Sequence, residues 1–263
     1  MDNWAITTSK ARGKMGLSLT DTARSLSSEL QIPFLERMNR SIPWLMRRYD
    51  LDCLLVEENG ELLAHWSDGE TLRFHPGMAI HRIKQLKDGK VEMLTNIMEL
   101  QPGAQILDCT MGMANDAVVL SFATGADGVV TALESSSLIY AVTSYGLQHW
   151  PTNSQPMKQA MERIQTICCY YRAYLQNLAP DCYDFLYFDP MFERPVLQSA
   201  GIAPLRRSAN YAPLTQEILT LAKKIARQKV VVRHRVGTLR SLQFDSIMGG
   251  KYSSLAYGIL YAK

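Results

Sequence analysis

Apolar positions along the chain alternate between a period of two and a period near 3.6, and the changes of period divide it into elements. Trp4–Thr8 reads as a strand and Thr20 to about Met38 as a helix. Three short apolar runs, Cys53–Glu57, Glu61–Trp66 and Thr71–Phe74, read as strands. Asn59-Gly60 suits a type I′ turn, so the first two of these runs are predicted to form a hairpin. From residue 78 to 100, Met78, Ile80, Ile83, Leu86, Val91, Leu94, Ile97 and Met98 recur at helical spacing, with Gly89 placed to break the helix. Residues 1–75 are thus expected to form a small N-terminal α/β subdomain.

From Gln101 the pattern changes. The stretch "PGAQILDCTMGMANDAVVLSFATGADGVVTALESS", residues 102–136, holds a strand (Gln105–Thr110), a glycine-containing turn, a helix (Asn115–Thr124), a second turn and a second strand (Val129–Glu134), which is a βαβ unit. In "YDFLYFDPMF", residues 183–192, Tyr183, Phe185, Leu186, Tyr187 and Phe188 read as a strand covered on both faces, as in a parallel sheet. Pro190 can donate no ladder hydrogen bond and pushes Asp189 toward an extended conformation, so the Asp189 carboxylate emerges at the strand's carboxyl end. In open α/β sheets that edge is where ligands bind. The fold class is therefore α/β, with a Rossmann-like sheet carrying helices on both faces over residues 76–263.

Composition adds limits. At 263 residues, with 47% hydrophobic and 20% charged, the chain can bury a full core. No apolar run approaches the roughly 20 residues that span a bilayer, and Met1-Asp2-Asn3-Trp4 lacks the basic-then-apolar order of a signal peptide, so a cytoplasmic location is expected. Cys53, Cys109, Cys168, Cys169 and Cys182 are odd in number and contain no C-x-x-C pair, which argues against a disulfide framework or a zinc site and for reduced, mostly buried thiols. The histidines show no metal-ligand spacing, so no metal is expected.

The net charge of +3 says little, but between Arg194 and Arg240 ten Lys or Arg residues face the single acid Glu217. That segment is a candidate polyanion-facing surface. Lys223, Lys224 and Arg227 equally suit the last turn of a helix, where cations complement the macrodipole. Arg206 and Arg207 fall in a loop just downstream of Asp189-Pro190, where a substrate would approach, and are the candidate RNA contacts. Lys10, Arg12 and Lys14 form a second cluster.

The βαβ unit carries candidate cofactor chemistry. Gly112 lets the backbone approach a ligand, and the following helix offers unsatisfied N–H groups. Glu134 follows Gly112 at about the 20-residue spacing at which a carboxylate meets a ribose, and a carboxylate can accept from two neighbouring hydroxyls at once. "DCTMGMAND" has one glycine where a pyrophosphate-binding turn has G-x-G-x-x-G, and it opens on Asp108. Both features point away from NAD and toward a ligand bearing a cation, such as the amino group of S-adenosylmethionine. Asp108 also fits a capping role and Asp116 the acid at a helix start. Asp189-Pro190-Met191-Phe192 falls where amino-methyltransferases carry an Asp/Asn-Pro-Pro-aromatic motif.

"RFHPGMAIHRIK", "ILDCTMGMANDAVVL", "ALES", "FLYFDPMF" and "KVVVRHR", in this order, resemble the bacterial small-subunit ribosomal RNA guanine methyltransferases of the RsmJ type, over roughly residues 70–260. The resemblance implies a class I methyltransferase fold, S-adenosylmethionine as donor, the exocyclic amine of a guanine as acceptor, and ribosomal RNA or the small ribosomal subunit as partner. By matching position it puts cofactor contacts on Asn115, Asp116, Glu134, Ser135, Cys168, Cys169 and Asp189. The chain departs from the family pattern at Asn115, at Cys168-Cys169 and at Glu193. Asp189 and the Pro190 carbonyl are then expected to accept from the amine while Phe192 stacks on the base, with a hydrophobic plug as the other reading of Phe192. Tyr170 and Tyr171 suit packing, with one of them able to border an adenine. A methyltransferase-like protein that binds a nucleoside or RNA without turnover is the alternative function.

Overall fold

The computed structural model describes residues 3–10, 14–58, 60–191, 203–251 and 253–262. Phe192, Glu193 and Arg194 lie outside the described residues, as do Arg12, Asn59 and the side chain of Lys14. The chain begins with β1 (Trp4–Thr8), α1 (Lys14–Leu30), α2 (Ile42–Tyr49), β2 (Cys53–Glu58), β3 (Glu61–Trp66) and β4 (Thr71–Arg73). Their strands form a four-stranded sheet in the order β1-β2-β3-β4, with β1 parallel to β2 and the other pairs antiparallel.

The strands lie where the pattern puts them, but the helix expected at Thr20–Met38 runs instead from Lys14 to Leu30. Gln31 turns left-handed at φ 55°, and Pro33 keeps Ile32 out of the helical region, so Phe34 continues as extended chain and bridges Ile6. The hydrophobic pattern did not announce α2. Ser41 caps it, its Oγ accepting from Trp44 N–H at 3.2 Å, and Asp50 ends it in a left-handed turn at φ 52°. Side-chain alternation gives the sheet two buried faces: Ala5, Leu54 and Val56 pack on Leu45 and Met46 of α2, whereas Ile6, Cys53 and Leu55 join the main core.

Gly89, at φ 70°, divides the expected 78–100 helix into α3 (Gly77–Lys87) and α4 (Met93–Met98). The remainder is β5 (Gln105–Asp108), α5 (Asn115–Thr124), β6 (Val129–Glu134), α6 (Ser137–His149), α7 (Gln155–Glu162), β7 (Gln165–Cys168), α8 (Tyr171–Leu175), β8 (Tyr183–Phe188), α9 (Ala203–Ser208), α10 (Gln216–Ile225), β9 (Ala226–Arg235), α11 (Val236–Ser241), β10 (Ser246–Gly249) and β11 (Leu255–Tyr261). A seven-stranded sheet results, in the order β10-β11-β9-β8-β5-β6-β7. From β9 to β7 the strands are parallel, and β11 is antiparallel to both its neighbours.

Period-two alternation sorts the central strands onto two faces. Ile106, Phe185, Tyr187 and Val231 enter one core cluster; Leu107, Leu186, Phe188, Val230 and Val232 enter the other. The order reverses between β5 and β8, so their carboxyl ends flank the switch point at which α/β sheets bind ligands. α6 packs on β3 and joins the two sheets. A Cβ at Gly146 would collide with the Phe74 ring, so this contact needs glycine.

Candidate cofactor and acceptor site

The turn after β5 is set by its backbone. Cys109 N–H donates to Tyr187 O at 2.9 Å and Met111 N–H to Leu133 O at 2.8 Å, carrying the sheet pairing one step beyond the strands. Gly112 (φ 51°) and Ala114 (φ 56°) then turn left-handed and deliver the chain into α5. At Gly112 a Cβ would meet nothing closer than 4.0 Å, so glycine serves the backbone angle there and leaves open space for a ligand.

Glu134 closes this turn from β6. Its Oε2 accepts from Gly112 N–H at 3.0 Å and its Oε1 from Ser136 N–H at 2.8 Å and Ser135 Oγ at 3.4 Å. Ser136 also caps α6, so one residue fixes both the helix start and the carboxylate. Burial raises the Glu134 pKa and these backbone bonds pull it back. Oε2, with one bond, retains a lone pair for a ribose hydroxyl.

Asp189 follows β8. Its N–H donates to Thr110 Oγ1 at 2.7 Å, and its Oδ2 accepts from Arg233 Nη1, on β9, at 2.8 Å. Among the described residues Oδ1 has no hydrogen bond. Burial pushes the Asp189 carboxyl up to about 7, against the pull of Arg233 and with the push of Asp116. Burial alone would lower Arg233, but Asp189, Tyr187 and Asp116 outweigh it and hold its pKa above the usual value.

Asn115 and Asp116 face the protein. Asn115 Oδ1 accepts from Ala79 N–H at 3.1 Å, pinning the first turn of α3. Asp116 Oδ1 pairs with Arg82 of α3, and its Oδ2 accepts from Tyr187 Oη at 3.0 Å. Arg82 also reaches Glu92 Oε1 at 2.7 Å. Buried Asp108 takes Thr110 N–H at 3.0 Å, and its pKa is raised first by burial and then by Asp116, Asp189 and Glu134. Four carboxylates thus converge on one cleft, while the two arginines beside it are already bonded to acids. Such a cleft favours a cation.

Cys168 is exposed at the end of β7, and Cys169 N–H donates to Glu134 O at 2.8 Å, which brings both residues to the same edge of the sheet as Glu134. All five cysteines are free, but only Cys53 and Cys109 are buried, fewer than the composition suggested. Tyr171 packs edge-on against Phe188 with ring centroids 5.4 Å apart, a core position, and Tyr170 lies above it. Among the described residues no cluster of His, Cys, Asp and Glu could hold a metal, and no helix is long and apolar enough to cross a membrane.

The basic segment is scattered. Lys229 is buried against Ile97 O, Arg227 bonds Asp181 O and Asp184, Lys223 pairs with Asp245, and Arg233 enters the cleft. Arg206 and Arg207 lie on helix α9 rather than in a loop, with Arg207 paired to Asp68 and over the Trp66 ring. Sequence patterning assigned no site role to Arg82 or Glu92, and placed Arg233 only among the basic residues of the candidate polyanion surface. The one local signal was an arginine interrupting an apolar pattern, between Ile80 and Ile83 in one case and after three valines in the other.

A parallel sheet with its switch point at β5 and β8 and an antiparallel strand near one edge is the Rossmann-like fold of class I methyltransferases. A family model described as "Putative SAM-dependent methyltransferase" matches residues 53–241, and the chain belongs to this family. It is 33% identical over 241 residues to the uncharacterized protein YpiP of Bacillus subtilis (strain 168), a match covering 91% of this chain and 93% of that protein. In fold it is similar to a SAM-dependent methyltransferase from Neisseria gonorrhoeae, with a TM-score of 0.61 and 14% identity over 98% of this chain and 96% of the other. S-adenosylmethionine is the cofactor. The cleft fits it chemically, because a sulfonium and an ammonium answer the surplus of carboxylates around Asp108.

Proposed function

We propose that the protein methylates an exocyclic amine of a nucleobase, a guanine of small-subunit ribosomal RNA, in the manner of the RsmJ-type enzymes its motifs resemble. The observation that carries this reading is Asp189. It stands at the switch point with Oδ2 held by Arg233 and Oδ1 left to accept from an amine. In this reading residues 1–75 form an accessory subdomain and residues 76–263 the catalytic domain.

S-adenosylmethionine supplies an electrophilic methyl group when bound. Glu134 takes the ribose hydroxyls, Asp108 and the Gly112 turn receive the methionyl end, and Ser135, Cys168 and Cys169 border the nucleoside. Asn115 and Asp116 act from behind, by fixing the start of α5 against α3. Asp189 Oδ1 and the Pro190 carbonyl each accept one amine hydrogen, which turns the nitrogen lone pair toward the methyl carbon. The bound donor would supply the methyl group and leave as a neutral thioether, and Asp189 Oδ1 would take the surplus proton from the methylated nitrogen. Alignment of this kind contributes roughly 7–11 kcal/mol of barrier reduction. Phe192 supplies the stacking surface, and the base must be unpaired or flipped out to reach it.

The test is transfer from labelled S-adenosylmethionine to small-subunit ribosomal RNA by the parent and by Asp189→Asn. The reading expects transfer by the parent and severe loss in the variant at saturating cofactor. Equal turnover by the two proteins would refute it.

A further inference from the structure

We infer that the outer layer of the four-stranded sheet is a second RNA-docking surface, in which Arg40, Arg47 and Arg48 bind backbone phosphates at a distance from the cleft. This rests on the reading of RNA as the substrate.

The stretch "RMNRSIPWLMRRY", residues 37–49, carries four arginines and no acid. Their environments separate them. Arg37 serves the fold, donating from Nε to Arg40 O at 2.7 Å and from Nη1 to Thr8 O at 3.1 Å. Arg40, Arg47 and Arg48 are exposed, and among the described residues none of them lies within ion-pair distance of a carboxylate. Other exposed arginines of the same region do find acids: Arg24 pairs with Glu36, Arg73 with Glu61 and Arg207 with Asp68.

Two of the three are held in place without being neutralised. The Arg40 guanidinium sits 4.5 Å above the Trp44 ring and that of Arg48 5.7 Å from the Tyr49 ring. An aromatic face orients a guanidinium while leaving its N–H fork free for a phosphate. The dipole of α2 favours cations in its last turn and so accounts for Arg47 and Arg48, but Arg40 directly precedes the N-cap, at the positive end of the dipole, which does not account for it.

Position selects the partner. α2 packs on the sheet face formed by Ala5, Leu54 and Val56, opposite the face that joins the main core, so α2 and the exposed arginines on and beside it belong to the layer remote from the seven-stranded sheet. A small substrate in the cleft cannot touch them. A folded RNA, with phosphates spread over tens of ångströms, can occupy both places at once.

The experiment measures binding of deproteinised small-subunit ribosomal RNA to the full chain across a salt series. It compares the parent, the triple variant Arg40→Gln, Arg47→Gln, Arg48→Gln, and the matching triple Lys variant. Each lost phosphate contact flattens the plot of log affinity against log salt by about 0.7–0.9, so the Gln variant should be shallower by about 2–3 while the Lys variant keeps the parental slope. Unchanged melting and S-adenosylmethionine binding establish that the Gln variant is folded. An unaltered slope in the Gln variant, or no RNA binding by the parent, overturns the inference. Methyl transfer is scored in parallel. A parent that binds RNA through these arginines yet transfers nothing refutes the proposed reaction and leaves the surface standing; a parent that transfers while the Gln variant keeps its slope does the reverse.

Discussion

The carboxyl edge of the seven-stranded sheet and the outer layer of the four-stranded sheet both contain arginines, in opposite circumstances. In the cleft, Arg82 lies between Glu92 and Asp116 and Arg233 lies on Asp189, which leaves Asp108 and Glu134 with no cationic partner among the described residues. On the outer layer, Arg40, Arg47 and Arg48 keep their charge, and the residue that serves the fold is Arg37. Burial explains the contrast. A buried guanidinium is tolerated only with carboxylates around it, whereas an exposed one is hydrated and needs no partner. One region is left acidic, which suits a cationic cofactor; the other is left basic, which suits a polyanion.

Breaking the buried side of this comparison gives the largest effect. Arg82→Ala strands Glu92 and Asp116, and loss of one partner from a buried ion-pair network costs about 3–5 kcal/mol, read from a denaturant melt. Adding Asp116→Asn should recover part of that loss. A change below about 1 kcal/mol would mean that α3 is held by packing alone.

Next in size is Asp189→Asn, which should cut turnover at saturating cofactor by at least about 100-fold through misplacement of the amine. The pH profile sharpens this result. With its carboxyl pushed up to about 7 in the folded chain, Asp189 takes up a proton as pH falls through that value and can no longer accept from the amine. Parental kcat/KM should therefore decline on the acid side of about pH 7, and the variant should lack this limb. Stability follows the opposite sign. The folded pKa lies above the unfolded one, so the folded chain binds the extra proton between about pH 4 and 7, and this contribution to stability is lost as pH rises through that window.

Glu134→Ala should weaken S-adenosylmethionine binding by roughly 1.5–3 kcal/mol, the range for hydrogen bonds to a charged group, as measured by calorimetry. Unchanged affinity would move the ribose elsewhere. The smallest effect is expected from Arg206→Ala with Arg207→Ala. If they touch RNA, the salt slope should flatten by about 0.7–0.9 per lost contact while melting and cofactor affinity stay put. Identical slopes would leave Arg207 a partner of Asp68 alone.

What could be read from the chain depended on sequence distance. The β5–α5–β6 unit was legible because periodicity, a single glycine and the terminal Glu134 all fall within one short segment, and Asp189-Pro190 because proline fixes its own neighbourhood. α2 was missed, since an eight-residue helix buries only Leu45 and Met46 and shows too little period. The 20–38 helix was misplaced because apolar residues past Gln31 kept a helical spacing that Pro33 forbids. The site roles of Arg82 and Arg233 were hidden for another reason: Asp116 and Asp189 lie 34 and 44 positions from them, brought close only when α3 meets α5 and β8 meets β9.

The most direct test of the proposed chemistry is to incubate the chain with labelled S-adenosylmethionine and unmodified small-subunit ribosomal RNA, digest the RNA and identify the labelled nucleoside by mass spectrometry. Label in guanosine methylated on its exocyclic nitrogen is the expected result. Label on a ribose oxygen or a ring nitrogen, or none from a chain shown to bind the cofactor, would contradict the role given to Asp189.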